Sequence, residues 1–432
     1  MKKLMLICAP VSSRSGYGDH ARDLVRSLIA HDKYEIKIMD VNWGETPRNA
    51  LDKTKDKQII NCILPQPKLD KQPDVYIDIR IPNEFQTWGK INIGITAGIE
   101  TNAVSNSWIE ACNKMDLIIV PSKHSKDGFI KAMYEKMQTQ ADGKQQKVGE
   151  LKLEKPIEVL FEGVDDDVYK MIDNSSLNLV DNIKEDFCFL HVGMWGKGGY
   201  GEDRKDISKL VKVFYESFAN KKKQPALLLK TSGATFSIMD REDCLQKIKK
   251  IKDKFPKDWN LPNIYLLHGS LSTEEMNKLY NHPKVKAMVS MVGLPVITSG
   301  WSGQMDFLST TDSMLISGEL VKVPKSQVWK DIIIPESQWF NVNEEQAYKA
   351  MNHCFKNYDK VKKKSLKLMK INRDKFTLNK MTEKFDEILS PYIDKVPTQV
   401  GLKLPKLKKA GEVNKPKIKL PKLKKVTDEV SV

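Results

Sequence analysis

One feature constrains this chain more than any other: short apolar runs alternate with longer amphipathic stretches. The runs of the first half are Leu4–Ala9, Glu35–Met39, Val75–Ile79, Ile91–Thr96, Leu117–Val120 and Ile157–Phe161. Rich in β-branched residues and largely apolar on both faces, they are the pattern of parallel strands buried under helices. Between the first two runs, Ala21, Leu24, Val25, Leu28 and Ile29 recur at helical spacing and make one apolar stripe. This order predicts an α/β domain over 1–175. Residues 171–186 are polar and read as a connector. A second series follows with Phe187–Val192, Ala226–Leu229, Ile264–Leu267, Val285–Met291 and Val296–Thr298, which predicts a second α/β domain over 176–375. A helix over 344–362 opens on an Asn343…Gln346 capping box and carries Ala347, Met351, Phe355 and Tyr358 as its stripe. Within 376–395, a last helix over 379–390 puts Met381, Phe385, Ile388 and Leu389 on one side, and is expected to pack back on the first domain.

At 432 residues there is room for two such domains, and no apolar run approaches the ~20 residues that cross a bilayer. The apolar run after Met1-Lys2-Lys3 falls short of the ~7–15 residues of a signal-peptide core, and reads as the first strand. None of the six cysteines forms a CxxC pair, and Cys8, Cys112, Cys188 and Cys354 lie inside apolar segments. That usage argues against zinc and against a disulfide scaffold. It points to a reducing compartment, hence the cytoplasm, that of a host if the chain is viral. The seven histidines show no HxxxH or HExxH spacing, so no metal is expected.

The net charge of +15 is uneven. From Lys395 onward there are 11 lysines against 3 acids, so +8 lies in the tail. There, Lys403–Lys409 reads Lys-Leu-Pro-Lys-Leu-Lys-Lys, and Lys419–Lys425 repeats it letter for letter. Proline in each copy prevents a continuous amphipathic helix, and no aromatic side chain offers a core. Residues 396–432 are therefore expected to be a disordered basic tail, either a solubilising segment or one that binds anionic surfaces. The rest of the chain is only mildly basic and lacks a basic stripe interleaved with aromatics. No sequence-specific nucleic acid is expected as a partner.

Three segments have the makings of a phosphate site. The first strand runs into Ser12-Ser13-Arg14-Ser15-Gly16-Tyr17-Gly18 and then a helix. A glycine turn feeding a helix N-terminus presents free N–H groups to an anion, although a plain strand-to-helix turn has the same look. In the second half, Phe187–Val192 runs into Gly193-Met194-Trp195-Gly196-Lys197-Gly198-Gly199-Tyr200-Gly201, with Arg204 and Lys205 at the next helix entrance. Fixed cations there favour a leaving diphosphate as its charge develops; the alternative is a solvated loop with a chance basic pair. Lys230 follows Leu227–Leu229 at the carboxyl end of a strand, the edge where open α/β sheets bind ligands, or it snorkels from that end.

The order of segments over 1–390 resembles the retaining GT-B glycosyltransferases of family 4, especially the short forms carried by phages. The resemblance rests on Ser15-Gly16-Tyr17-Gly18; Val120-Pro121-Ser122-Lys123-His124-Ser125; Gly163-Val164-Asp165-Asp166-Asp167-Val168-Tyr169; Gly201-Glu202-Asp203-Arg204-Lys205; and Gly293-Leu294-Pro295-Val296-Ile297 with Trp301-Ser302-Gly303. It implies two Rossmann-like doubly wound domains facing a cleft, a nucleotide-diphosphate sugar as donor, transfer with retention, and no metal or other cofactor. By that resemblance Gly16 and Gly18 approach the donor phosphates, Lys205 is the diphosphate-binding lysine, and Arg204 stands in for an arginine that relatives place earlier. Glu100 falls where relatives place an acceptor-facing histidine, which gives it an acceptor hydroxyl to orient; its simpler role is to cap the following turn. The acceptor itself is not readable. One departure is large. Relatives carry a glycine-rich loop and a helix with two donor-binding glutamates after the position of Ser290, and this chain has only Met291-Val292-Gly293-Leu294-Pro295 there. The second expectation is therefore a catalytically dead GT-B binding or scaffold protein, tethered by its basic tail.

Overall fold

The computed structural model describes residues 2–140, 144–233, 235–287 and 293–397, and these belong to one unit spanning Met1–Pro397. The tail from residue 398 onward lies outside them. The first half builds a sheet from β1 (Lys3–Ala9), β2 (Tyr34–Asp40), β3 (Val75–Ile79), β4 (Ile91–Ile95), β5 (Leu117–Val120) and β8 (Ile157–Val159). A ribbon of β6 (Met133–Thr139) and β7 (Gln145–Lys152) precedes β8. The sheet order is β2-β1-β3-β4-β5-β8, all parallel. Helices α1 (Gly16–Ala30), α2 (Lys57–Cys62), α3 (Asn106–Cys112) and α4 (Lys123–Lys131) connect these strands.

The second half carries α5 (Asn178–Asp181), then β9 (Cys188–Met194), α6 (Ile207–Phe218), β10 (Ala226–Ser232), α7 (Ile238–Lys252), β11 (Ile264–Leu266), α8 (Thr273–Asn281) and β12 (Val285–Ala287). Its sheet order is β11-β10-β9-β12, again parallel. Two smaller pairs follow: β13 (Ile297–Ser299) with β14 (Met314–Ile316), and β15 (Gly318–Lys322) with β16 (Gln338–Val342). Helices α9 (Glu344–Lys356), α10 (Tyr358–Lys375) and α11 (Leu378–Ile393) complete the unit. No described helix is long and apolar enough to cross a membrane.

In each main sheet the first strand is central, so the strand order reverses beside it. That switch point lies between β1 and β3 in one sheet and between β9 and β12 in the other. A crevice opens outside the carboxyl ends at such a point, and both glycine loops leave from these central strands. The cores explain the layers. Ile7, Leu24, Val25, Leu28, Ile77 and Phe385 are fully buried together, so α11 covers the same sheet as α1. Phe189, Phe214, Phe218, Leu229 and Cys354 form the core of the second sheet under α6 and α9.

Four expectations need correction. The 171–186 connector is not merely polar: Leu177, Val180 and Ile183 repeat at helical spacing and are buried against the second sheet, with α5 between them. The 344–362 helix is two helices, because Asn357 breaks it at φ −123° and ψ 36°, so Tyr358 opens α10 instead of ending the α9 stripe. Asn343 does cap α9 through the Gln346 N–H at 2.9 Å, but the Gln346 side chain accepts from Ser317 N–H instead of closing a box. Of the Val285–Met291 run, Val285–Ala287 forms β12 and the remainder lies outside the described residues, while β13 pairs with β14 and not with the main sheet.

Helix α11 starts at Thr377, whose side chain accepts the Lys380 N–H at 3.3 Å. Thr377→Ala is expected to cost about 1 kcal/mol by leaving that N–H uncapped. A urea midpoint shifted down with an unchanged slope checks it; an unmoved midpoint counts against the cap.

Candidate functional site

The first glycine loop is a built turn. Ser15 caps α1, its Oγ accepting from the Gly18 N–H at 3.1 Å. A Cβ on Gly18 would stand 2.2 Å from the Ser13 carbonyl oxygen, so the close approach at this position is to the loop's own backbone. Gly18 is thus spent on the turn: its N–H is taken and it does not line the adjoining cavity. Gly16 does line it, with nothing within 4 Å of where its Cβ would be.

That cavity holds about 1130 Å³ and is walled by Arg14, Gly16, Lys230, Phe236, Ser270 and Asp306 among others. It is therefore lined from both halves. Arg14 is a residue that sequence reasoning passes over. Its Nε donates to Asn49 Oδ1 at 2.7 Å, its Nη2 to the Asn49 carbonyl at 3.1 Å, and its Nη1 reaches Ser270 Oγ at 3.1 Å. Lys230 Nζ donates to the Gly269 carbonyl at 2.6 Å and lies 5.8 Å from the Phe236 ring centre. Two cations thus meet on consecutive residues, and among the described residues neither has a carboxylate partner. Burial holds the Lys230 ammonium below the usual lysine range. The signal available for Arg14 was a lone cation in a glycine turn ahead of a helix.

Arg204 and Lys205 lie elsewhere on the cleft, outside the lining of this cavity. Asp203, buried ahead of α6, accepts the N–H groups of Ile207 at 2.7 Å and Ser208 at 3.2 Å. Two of the N–H groups at the free end of α6 are therefore already taken, which leaves the side chains there as the main donors to an anion. Arg204 Nη1 donates to both carboxylate oxygens of Glu100, at 3.0 and 2.9 Å. This corrects the capping role: no described contact of the Glu100 carboxylate is with its own turn. Lys205 has no hydrogen-bond or ion-pair partner among the described residues, and its protein surroundings and then the Arg204 charge hold its pKa below the usual value.

Beneath Lys205, burial first and the Lys205 charge second push His191 down to about 4, so its imidazole is neutral. Its Nε2 is buried without a partner, as is Oγ1 of Thr231. The register pairs Leu229 with His191 and Thr231 with Gly193, which places both groups on one face at the carboxyl ends of β9 and β10. Two unsatisfied buried polar groups on one face are unusual in a core. Among the described residues no cluster of acids, histidines and cysteines is arranged to hold a metal ion.

No family model matches the chain, and no curated protein does. Solved structures do. HepE of Anabaena, determined in complex with UDP and glucose, is 12% identical, covers 90% of this chain and 100% of its own, and superposes with a TM-score of 0.56. A glycosyltransferase of Rickettsia africae is 15% identical over 91% of this chain and 99% of its own, at 0.54. The sucrose-phosphate synthase of Thermosynechococcus elongatus is 10% identical over 91% and 100%, also at 0.54. At these identities the likeness speaks for architecture: this chain has the GT-B glycosyltransferase fold, two doubly wound α/β halves.

Proposed function

We propose that this chain is a glycosyltransferase-type protein that takes a nucleotide-diphosphate sugar into its cleft. The observation that carries this reading is a set of four cations, Arg14, Lys230, Arg204 and Lys205, that the described carboxylates leave largely unpaired, although the cavity also carries acids such as Asp19, Asp165 and Asp306. Among the described residues Arg14 and Lys230 have no carboxylate partner, and Arg204 with Lys205 share one. Cations left without a carboxylate of their own suit a diphosphate. Fold-level analogy raises the prior: HepE was solved with UDP-glucose, and the Rickettsia africae neighbour is a glycosyltransferase by name. Transfer with retention, without metal, from a donor held mainly by the second half follows from the resemblance to family 4. The acceptor stays open. Six unpaired cysteines support a reducing location, which we take to be the cytoplasm. The test is a panel of nucleotide sugars against the melting temperature, where a ligand at 100 times its Kd adds about 2.7 kcal/mol. A panel that moves the melting temperature nowhere defeats the reading.

A second reading is favoured by the short Val292–Pro295 stretch, which leaves no room for the glutamates of relatives. On it the chain binds a nucleotide sugar but does not transfer, and serves as a tethered module. The tail supplies the tether in either case. Deleting 396–432 is expected to lower the salt at which the protein leaves heparin or anionic vesicles, since each phosphate or sulfate contact releases a counterion. The melting temperature should stay where it is. Elution of both forms at one salt concentration removes the tail from any such role.

A further inference from the structure

We propose that Glu100 is an anion placeholder: it occupies Arg204 in the empty cleft, and the diphosphate of the donor takes Arg204 from it. The proposal rests on the function proposed above and names how its anion site is held when empty. Glu100 follows β4 in the first half, and Arg204 stands ahead of α6 in the second. Both carboxylate oxygens crowd onto the single nitrogen Nη1, and Nε and Nη2 of Arg204 have no hydrogen-bond partner among the described residues. Lys205 beside it is unpaired as well. One carboxylate therefore faces two cations and uses one corner of the guanidinium.

The contact is also poorly shielded, with side chains 26% exposed at Glu100 and 34% at Arg204. Ion pairs of this exposure hold weakly. A diphosphate carries more charge and engages the guanidinium with two parallel bonds, so it wins the competition.

The loop around Glu100 is anchored independently of the carboxylate. Gly98 has φ +70°, and a Cβ there would lie 2.8 Å from Ser125 Oγ, so this turn requires glycine. Ser125 Oγ donates to the Ala97 carbonyl at 3.2 Å, and Trp301 Nε1 donates to the Glu100 carbonyl at 3.3 Å. Asn102 and Gln338 exchange backbone and side-chain bonds across the two halves, the Asn102 N–H donating to the Gln338 carbonyl at 2.9 Å. The backbone is held from both sides, while among the described residues the carboxylate's only hydrogen-bond partner is Arg204. Loss of Arg204 thus turns one side chain and leaves the loop in place.

The competing role, in which Glu100 positions Arg204 for the anion, predicts the opposite sign. Calorimetry with two probes, inorganic pyrophosphate and UDP, on the full chain separates them. Glu100→Gln should bind both probes more tightly, by up to about fivefold, which is the strength of a partly exposed pair. Arg204→Ala should bind them more weakly, and adding Glu100→Gln to Arg204→Ala should change nothing further. Unchanged or weaker binding by Glu100→Gln overturns the placeholder, as does the same gain in the Arg204→Ala background. So does failure of both probes to bind the parent and Glu100→Gln alike. If pyrophosphate binding tightens while UDP does not bind, the nucleotide-sugar reading falls and the placeholder stands. If UDP binds and Glu100→Gln leaves it unmoved, the reverse holds.

Discussion

Sugar transfer by the 432-residue chain is expected to be slower, by two to four orders of magnitude, than transfer by a version with a relative's glycine loop and helix inserted after Ser290 (roughly tenfold per 1.4 kcal/mol). Two apolar runs, Val285–Met291 and Val296–Thr298, are separated by four residues. Parallel neighbours in one sheet need a crossover of about a dozen residues or more. The two runs accordingly part company: β12 pairs with β9, while β13 pairs with β14 in a separate two-stranded sheet. Residues 288–292, where the segment would be inserted, lie outside the described residues. By the family resemblance, the segment that relatives carry at this point bears two glutamates on the donor's sugar and ribose. Each buried hydrogen-bonding group of that kind contributes about 1–3 kcal/mol. The chain after this point still packs, since Leu294 and Val296 are buried against neighbouring elements. Turnover of a nucleotide-sugar panel by both purified versions is the measurement. Equal, rapid turnover by the unmodified chain would mean that other residues do the glutamates' work.

The two-sheet architecture was legible because its strands are buried on both faces, so their apolar runs stand out from polar flanks. Leu4–Ala9 and Ala226–Leu229 each fall within a strand whose residues are mostly buried. The β6–β7 ribbon was not legible. Met133, Met137 and Val148 are exposed on it and alternate with Glu135, Lys136 and Lys147, so no buried face writes a period into the sequence. The site was legible as loops but not as contacts. Glycine density after β1 and β9 marked the turns that leave these strands, and strand-end position marked Lys230, which lines the cavity. What Gly18 presses against, and which carboxylate Arg204 meets 104 residues away, are products of tertiary packing. No local pattern in one sequence encodes them. Arg14 escaped for the same reason: its partner Ser270 is 256 residues distant.

Replacing Arg204 and Lys205 together by alanine is expected to weaken nucleoside-diphosphate binding by about 2–4 kcal/mol, or roughly 30- to 1000-fold. Charge-assisted bonds contribute about 1.5–3 kcal/mol each and do not add fully when they share one anion. The structure sharpens the expectation. With Asp203 already holding the Ile207 and Ser208 N–H groups of α6, those two backbone donors are not free to compensate for the lost side chains. Lys205 has no partner to lose among the described residues, and Arg204 gives up only an exposed pair with Glu100, so the fold should be nearly as stable as before. Binding of the nucleoside alone should change little, because it carries no phosphate for these cations to meet. The cavity cations make the natural control. If the diphosphate instead lies between Arg14 and Lys230, replacing those two will carry the loss and the Arg204, Lys205 double variant will bind like the parent. Calorimetric titration of both double variants with the same nucleoside diphosphate therefore assigns the phosphates to one wall of the cleft, and parental affinity in the Arg204, Lys205 variant removes that loop from the site.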